Sequence, residues 1–81
     1  MFDEIRAIIG QALQLGERTG SLVAETQLLG EMPEMDSMAV VTLITAIEEN
    51  YGVVVEDDEI SADTFLTIGT VVEFVEQKVN E

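Results

Sequence analysis

The sequence contains no cysteine and no histidine. These two absences exclude disulfide staples, zinc sites built from thiolate or imidazole, and the Ser-His-Asp and Cys-His arrangements of nucleophilic catalysis. Positive charge is nearly missing as well. Arg6, Arg18 and Lys78 stand against 17 Asp and Glu, for a net charge of −14. Such a chain repels phosphates and anionic lipid, so neither nucleic acid nor membrane is an expected partner. The same charge favours enzymes with basic docking patches, reached by electrostatic steering, although acidity also serves plain solubility. Long apolar runs are lacking too. Ala7-Ile8-Ile9 is too short for a signal-peptide core or a membrane span, and the residues before it are acidic. The expected location is the cytoplasm, with no membrane insertion.

What is present is a compact set of apolar residues. They make up 47% of 81 residues, which argues for a folded chain despite the charge. The length predicts a single domain over 1–81, expected to be monomeric, able to bury roughly 60% of its unfolded surface.

Ile5, Ile8, Ile9 and Ala12, extended by Leu13 and Leu15, have helical spacing, and Gly16 and Gly20 bracket its end. The stretch from Glu17 to Met35 reads as a long loop, which Leu22 and Leu28 are expected to pin to the core. A second helix is delimited by Pro33, by the capping candidates Asp36 and Ser37, and by Gly52 after Asn50-Tyr51. Its buried stripe is predicted as Met38, Val41, Leu43 or Ile44, and Ile47. Glu48 and Glu49 fall at its C-terminal end, where the helix dipole disfavours anions, as an acidic docking surface would require. Val53-Val54-Val55 has β-branched character but no partner strand, so it is read as an extended linker. Ser61 is a candidate cap for a short helical turn through Phe65. The last helix starts near Thr67, with Ile68, Val71, Val72, Val75 and Val79 on one face. The fold class is all-α: a small four-helix bundle of three main helices and one short one.

Few residues remain that could carry chemistry. Lys78 has no phosphate-cradling loop before it, and the acids are scattered, so the chain is not expected to be an enzyme. Glu56-Asp57-Asp58-Glu59 lacks the alternating spacing and the glycine of a calcium loop. It is read as a solvated charge run and no metal site is expected, with loose divalent binding as the alternative.

Asp36-Ser37-Met38 alone is an ordinary helix start. Together with Leu28-Leu29-Gly30, Ile47-Glu48-Glu49, Tyr51-Gly52-Val53 and Phe65 to Val71, it resembles the signature of the acyl carrier protein family over nearly the whole chain. The resemblance implies a 4′-phosphopantetheine arm on Ser37, attached by a phosphopantetheinyl transferase with magnesium and flanked by Asp36 and Met38. It also implies acyl intermediates held as thioesters, with acyl-loading and acyl-transferring enzymes as partners. A chain without cysteine needs such a group to supply a thiol. Many fatty-acid carriers have acids where this chain has Ala39 and Thr42. The surface by Ser37 is therefore expected to be apolar, with Met35, Met38, Ala39 and Val40 exposed; Met38 falls in both this set and the stripe. Charge recognition is then expected from Glu34, Glu48 and Glu49. This departure favours a dedicated bacterial biosynthetic pathway, and the run Pro33 to Val41 is similar to carriers of exopolysaccharide and exosortase systems. The alternatives are a D-alanyl or peptidyl carrier and an acidic helical adaptor without a prosthetic group.

Overall fold

A computed structural model of the protein describes residues 1–30, 32 and 35–81. Three α-helices carry the architecture: α1 (Phe2–Ala12), α2 (Ser37–Tyr51) and α3 (Ile68–Val79). Short 3₁₀ helices occupy Gly16–Ser21, Asp57–Glu59 and Ala62–Phe65. The last of these is the expected short helix, and Ser61 precedes it without a side-chain capping bond to backbone. Among the described residues there is no named strand, only an isolated antiparallel bridge between Gln27 and Thr67. No helix is long and apolar enough to cross a membrane among these residues.

Each helix boundary has a local cause. Asp36 caps α2 by accepting from the Ala39 N–H at 2.8 Å, and Gly52 ends it in the left-handed region that a side chain disfavours. α3 opens with a reciprocal box: Thr67 Oγ1 accepts from Thr70 N–H, and Thr70 Oγ1 accepts from Thr67 N–H, each at 3.1 Å. Thr70 Oγ1 is also 2.9 Å from the Thr64 carbonyl, which ties the short turn to the helix that follows.

The core gathers Ile5, Ile9, Leu43, Ile47, Phe65, Ile68, Val71 and Val75 between the three helices. Leu22 and Leu28 are buried as expected and hold the long connection against it. Backbone bonds complete that attachment: Leu28 N–H to Leu66 O, Leu29 N–H to Phe65 O, Ile68 N–H to Thr26 O and Gly69 N–H to Ala24 O. The loop before α2 is thereby fastened along the entry to α3. Val53 and Val55 are half-buried and Val54 is exposed, as an extended linker laid on helices requires.

Four expectations about helix faces are corrected. Met38 and Val41 are 71% and 58% exposed, not buried. The stripe from Met38 through Val41 and Ile44 to Ile47 advances in threes. Each step turns about 300°, so three steps carry it to the opposite side of the helix. The face that is buried contains Ala39, Leu43, Ile44 and Ile47. On α3, Val72 is half-buried and Val79 exposed, while Ile68, Val71, Val75 and the stem of Lys78 face inward.

Candidate functional site

The start of α2 is built to fix its backbone and leave one hydroxyl outside. Met32 N–H bonds to the Leu28 carbonyl and Met35 N–H to the Met32 carbonyl, which carries the chain from the fastened loop to the helix. Met35 is buried, 5% exposed, and anchors the approach from below. Asp36 then caps the helix, so the capping role belongs to Asp36 and not to Ser37. Ala39, 8% exposed, turns into the core one residue after Met38, which is 71% exposed. Between the two anchors, Ser37 is solvent-exposed.

The environment of Ser37 suits an anionic ester. The first intrahelical bond is Val40 N–H to Asp36 O, so the Ser37 and Met38 N–H groups precede the ladder. Such first-turn amides, with the helix dipole behind them, stabilise negative charge. No acid lies in the first turn itself, and the neighbouring Asp36 carboxylate is engaged by Ala39. The other two serines spend their hydroxyls locally: Ser21 donates to the Arg18 carbonyl, and Ser61 pairs with Thr64. Among the described residues the Ser37 hydroxyl takes no hydrogen-bond partner.

The family model for the phosphopantetheine attachment site matches residues 3–77. The acyl carrier protein of Helicobacter pylori strain G27 is 32% identical over 76 residues, covering 94% of this chain and 91% of its own. That of Helicobacter acinonychis strain Sheeba is 34% identical over 77 residues, with the same coverage. The chain belongs to the acyl carrier protein family. A holo acyl carrier protein of Nitrosomonas europaea, solved in solution by NMR, superimposes with a TM-score of 0.89 at 51% identity, over 99% of this chain and 96% of that one. Proteins of this family are carriers rather than enzymes, and their prosthetic group is 4′-phosphopantetheine. A phosphopantetheinyl transferase and acyl-handling enzymes are the partners this implies.

The expected partner-binding residues separate in the structure. Thr42 and Glu49 are exposed on α2, and Met38 is the most exposed of its apolar residues. Met35 and Ala39, expected at the surface, are buried: they anchor the helix start and cannot meet a partner directly. Val40 is half-buried. Glu34 lies outside the described residues. Glu48 has a different task, because its Oε2 accepts from the Val55 N–H at 2.9 Å and holds the linker after α2. That bond accounts for an acid at an unfavourable end of the helix dipole. Val41, expected in the buried stripe, and Thr45, to which no role was assigned, are both exposed on the side of α2 that carries Ser37. A helical wheel centred on Ser37 would have found them, since Val41 and Thr45 are four and eight residues on.

Proposed function

We propose that Ser37 is the attachment point of the 4′-phosphopantetheine arm, and that the chain holds acyl groups on this arm as thioesters for a dedicated bacterial biosynthetic pathway. The observation that carries the reading is the exposed hydroxyl of Ser37, without a hydrogen-bond partner among the described residues, at the first position of a firmly capped helix. The group supplies the thiol that a chain without cysteine lacks. This chain's own residues supply the rest. Asp36 fixes the turn, Met35 and Ala39 hold it to the core, and the first-turn N–H groups favour the phosphodiester charge. A flexible arm on a rigid helix start lets one tethered intermediate reach several active sites at high effective concentration.

A dedicated pathway is supported by the character of α2. From Ser37 to Ile47 the helix has no charged residue, so it lacks the acids many general fatty-acid carriers display there. The chain works in the cytoplasm as a monomer, and the net charge of −14 opposes self-association.

The test is intact mass after incubation with coenzyme A, magnesium and a broad-specificity phosphopantetheinyl transferase. One arm is expected on the wild type, none on Ser37→Ala, and peptide mapping should place it on Ser37. An arm on Ser21 or Ser61, or undiminished modification of Ser37→Ala, would refute the assignment.

A further inference from the structure

Between α1 and α2 lies an open groove of about 310 Å³, at the lower end of the roughly 300–1,000 Å³ usual for small-molecule sites. Its floor is apolar: Ile8 and Ala12 of α1 and Ala46 of α2 are half-buried. Its rim carries the neutral amides of Gln11, Gln14 and Asn50, all exposed. Among the described residues the side chains of Gln11 and Gln14 take no hydrogen-bond partner. Asn50 donates from Nδ2 to the Ala46 carbonyl at 2.8 Å, which leaves its Oδ1 to accept. A second stretch of about 280 Å³ continues past Asn50 to Tyr51 and Glu4. Glu4 is the one charged residue lining either stretch, at the end remote from Ser37.

A ridge joins this groove to the start of α2. Met38, Thr42, Ala46 and Asn50 follow one another at four-residue intervals, the spacing that aligns side chains along a helix. Met38 is next to Ser37 and 71% exposed. Thr42 marks the near end of the groove, five residues beyond Ser37, about 7.5 Å along the axis at about 1.5 Å per residue. Asp36, also beside Ser37, lines neither stretch. The grooves by the linker and along α3 differ, being lined by Glu56, Asp58 and Glu59 or by Glu73, Glu76 and Glu81. A neutral occupant there would strip water from carboxylates and return nothing. Gln14 gives an independent sign. Among the described residues it is the one non-glycine with a left-handed backbone, at φ 56°, a conformation that glycine adopts freely. A strained position that keeps a side chain points to a use for that side chain.

We infer that this groove is the resting site of the loaded arm: Ile8, Ala12 and Ala46 seat its apolar portions and a short neutral acyl group, and Gln11, Gln14 and Asn50 hydrogen-bond its amides. The inference rests on Ser37 as the attachment point. Beyond its phosphodiester the arm is neutral, with methyl groups, secondary amides and a thioester, so an apolar floor with an amide rim matches its chemistry. Seating beside α1 keeps water from the thioester until a partner enzyme draws it out.

The test loads the full chain with a butyryl arm, using butyryl-coenzyme A and a broad-specificity phosphopantetheinyl transferase. Intact mass confirms loading of the wild type, Ala46→Glu and Gln14→Gly. In NMR spectra of the loaded against the unloaded wild type, the side-chain amides of Gln11, Gln14 and Asn50 are expected to shift. NOEs are expected from the arm to the Ala12 and Ala46 methyls. Both variants should lose these signals, although Gln14→Gly relieves the backbone and should melt no lower than wild type. An arm seated about two-thirds of the time meets water about one-third as often, so thioester hydrolysis should be about threefold slower in the wild type than in either variant. The inference is overturned, with Ser37 still the attachment site, by shifts confined to the neighbours of Ser37, by NOEs to Leu66 or Val72 in place of α1, or by equal hydrolysis in all three proteins. Groove shifts that appear only as protein concentration rises overturn it in favour of another copy's arm. Groove shifts that appear only with an acyl-transferring enzyme overturn it in favour of a partner surface. A wild type that accepts no arm at Ser37 overturns both readings together.

Discussion

Lys78 donates from Nζ to both carboxylate oxygens of Glu59, at 2.9 and 2.8 Å, and so clamps the last turn of α3 to the short turn that follows α2. It is the sole lysine of the chain, buried along its stem, with Glu81 Oε1 as a further acceptor at 3.3 Å. Glu59 Oε1 also accepts from the Glu56 N–H.

The clamp makes stability depend on pH at both extremes. The hydrogen bond from Lys78, then the Glu56 N–H, hold the Glu59 carboxyl below its ordinary range. The native state thus binds that proton less readily than the unfolded chain. Its contribution is complete above the ordinary glutamate pKa and is lost as pH falls through the lower native value. Lys78 is held above its ordinary value, chiefly by its hydrogen bond to Glu59. Its contribution is complete below the ordinary lysine pKa and lost as pH rises through the raised one. Glu59→Gln should therefore melt below wild type at neutral pH, and the difference should shrink towards strong acid and strong alkali. A gap that does not vary with pH would show that the pair adds nothing through its charges.

Glu48 and Glu49 are adjacent in sequence and should behave differently. Glu48→Gln keeps an acceptor for the Val55 N–H, whereas Glu48→Ala leaves that amide without it, a loss of about 1–3 kcal/mol. Glu49→Ala removes an exposed acid and should change stability by less than about 0.5 kcal/mol. Urea unfolding of the three variants checks the order.

The corrected face of α2 predicts a contrast between two apolar truncations. Ile47 is fully buried, and Ile47→Ala should cost about 2–5 kcal/mol. Val41→Ala, at an exposed site, should cost less than about 0.5 kcal/mol. Comparable losses in thermal unfolding would contradict this orientation of the helix.

Ala39→Asp restores an acid common among fatty-acid carriers, but here it would place an unpaired carboxylate in the core. It should destabilise the fold by at least about 1–3 kcal/mol. Its effect on partner enzymes must be measured below its melting temperature, and a variant as stable as wild type would show that the site opens to solvent.

At Gly10, α1 lies close against Thr19 of the connection that follows it. A Cβ there would overlap Thr19 Oγ1 and stand 2.8 Å from Thr19 Cβ. Helix propensity alone would make Gly10→Ala stabilising by about 1 kcal/mol. The overlap reverses the sign, and a loss of about 1–3 kcal/mol is expected. Thr19→Ala in the same chain should recover part of it in a denaturation experiment.

The cap and the end of α2, the serine at its first position and the family signature were legible in the sequence because their causes are local. A cap, a left-handed glycine and a β-branched linker act on neighbours within a few residues, so Asp36, Gly52 and Val53 to Val55 can be read in order. The exclusion of disulfides and of Cys- or His-based sites rests on composition alone, since a side chain that is absent can do no chemistry. The faces of α2 were not legible. Its residues from Met38 to Ile47 are apolar on nearly every side, and without polar alternation the pattern cannot say which side is inward. That choice was made by tertiary packing, which drew in Ala39, Leu43 and Ile47 and left Met38 and Val41 outside. The same holds for Glu48 and Lys78. Read singly, they are surface charges, and only the folded chain brings them to Val55 and Glu59, partners seven and nineteen residues away. The connection before α2 was likewise decided by long-range bonds, in which Thr26 and Leu28 meet Ile68 and Leu66. Such bonds depend on chain segments far apart in sequence, and no local propensity encodes them.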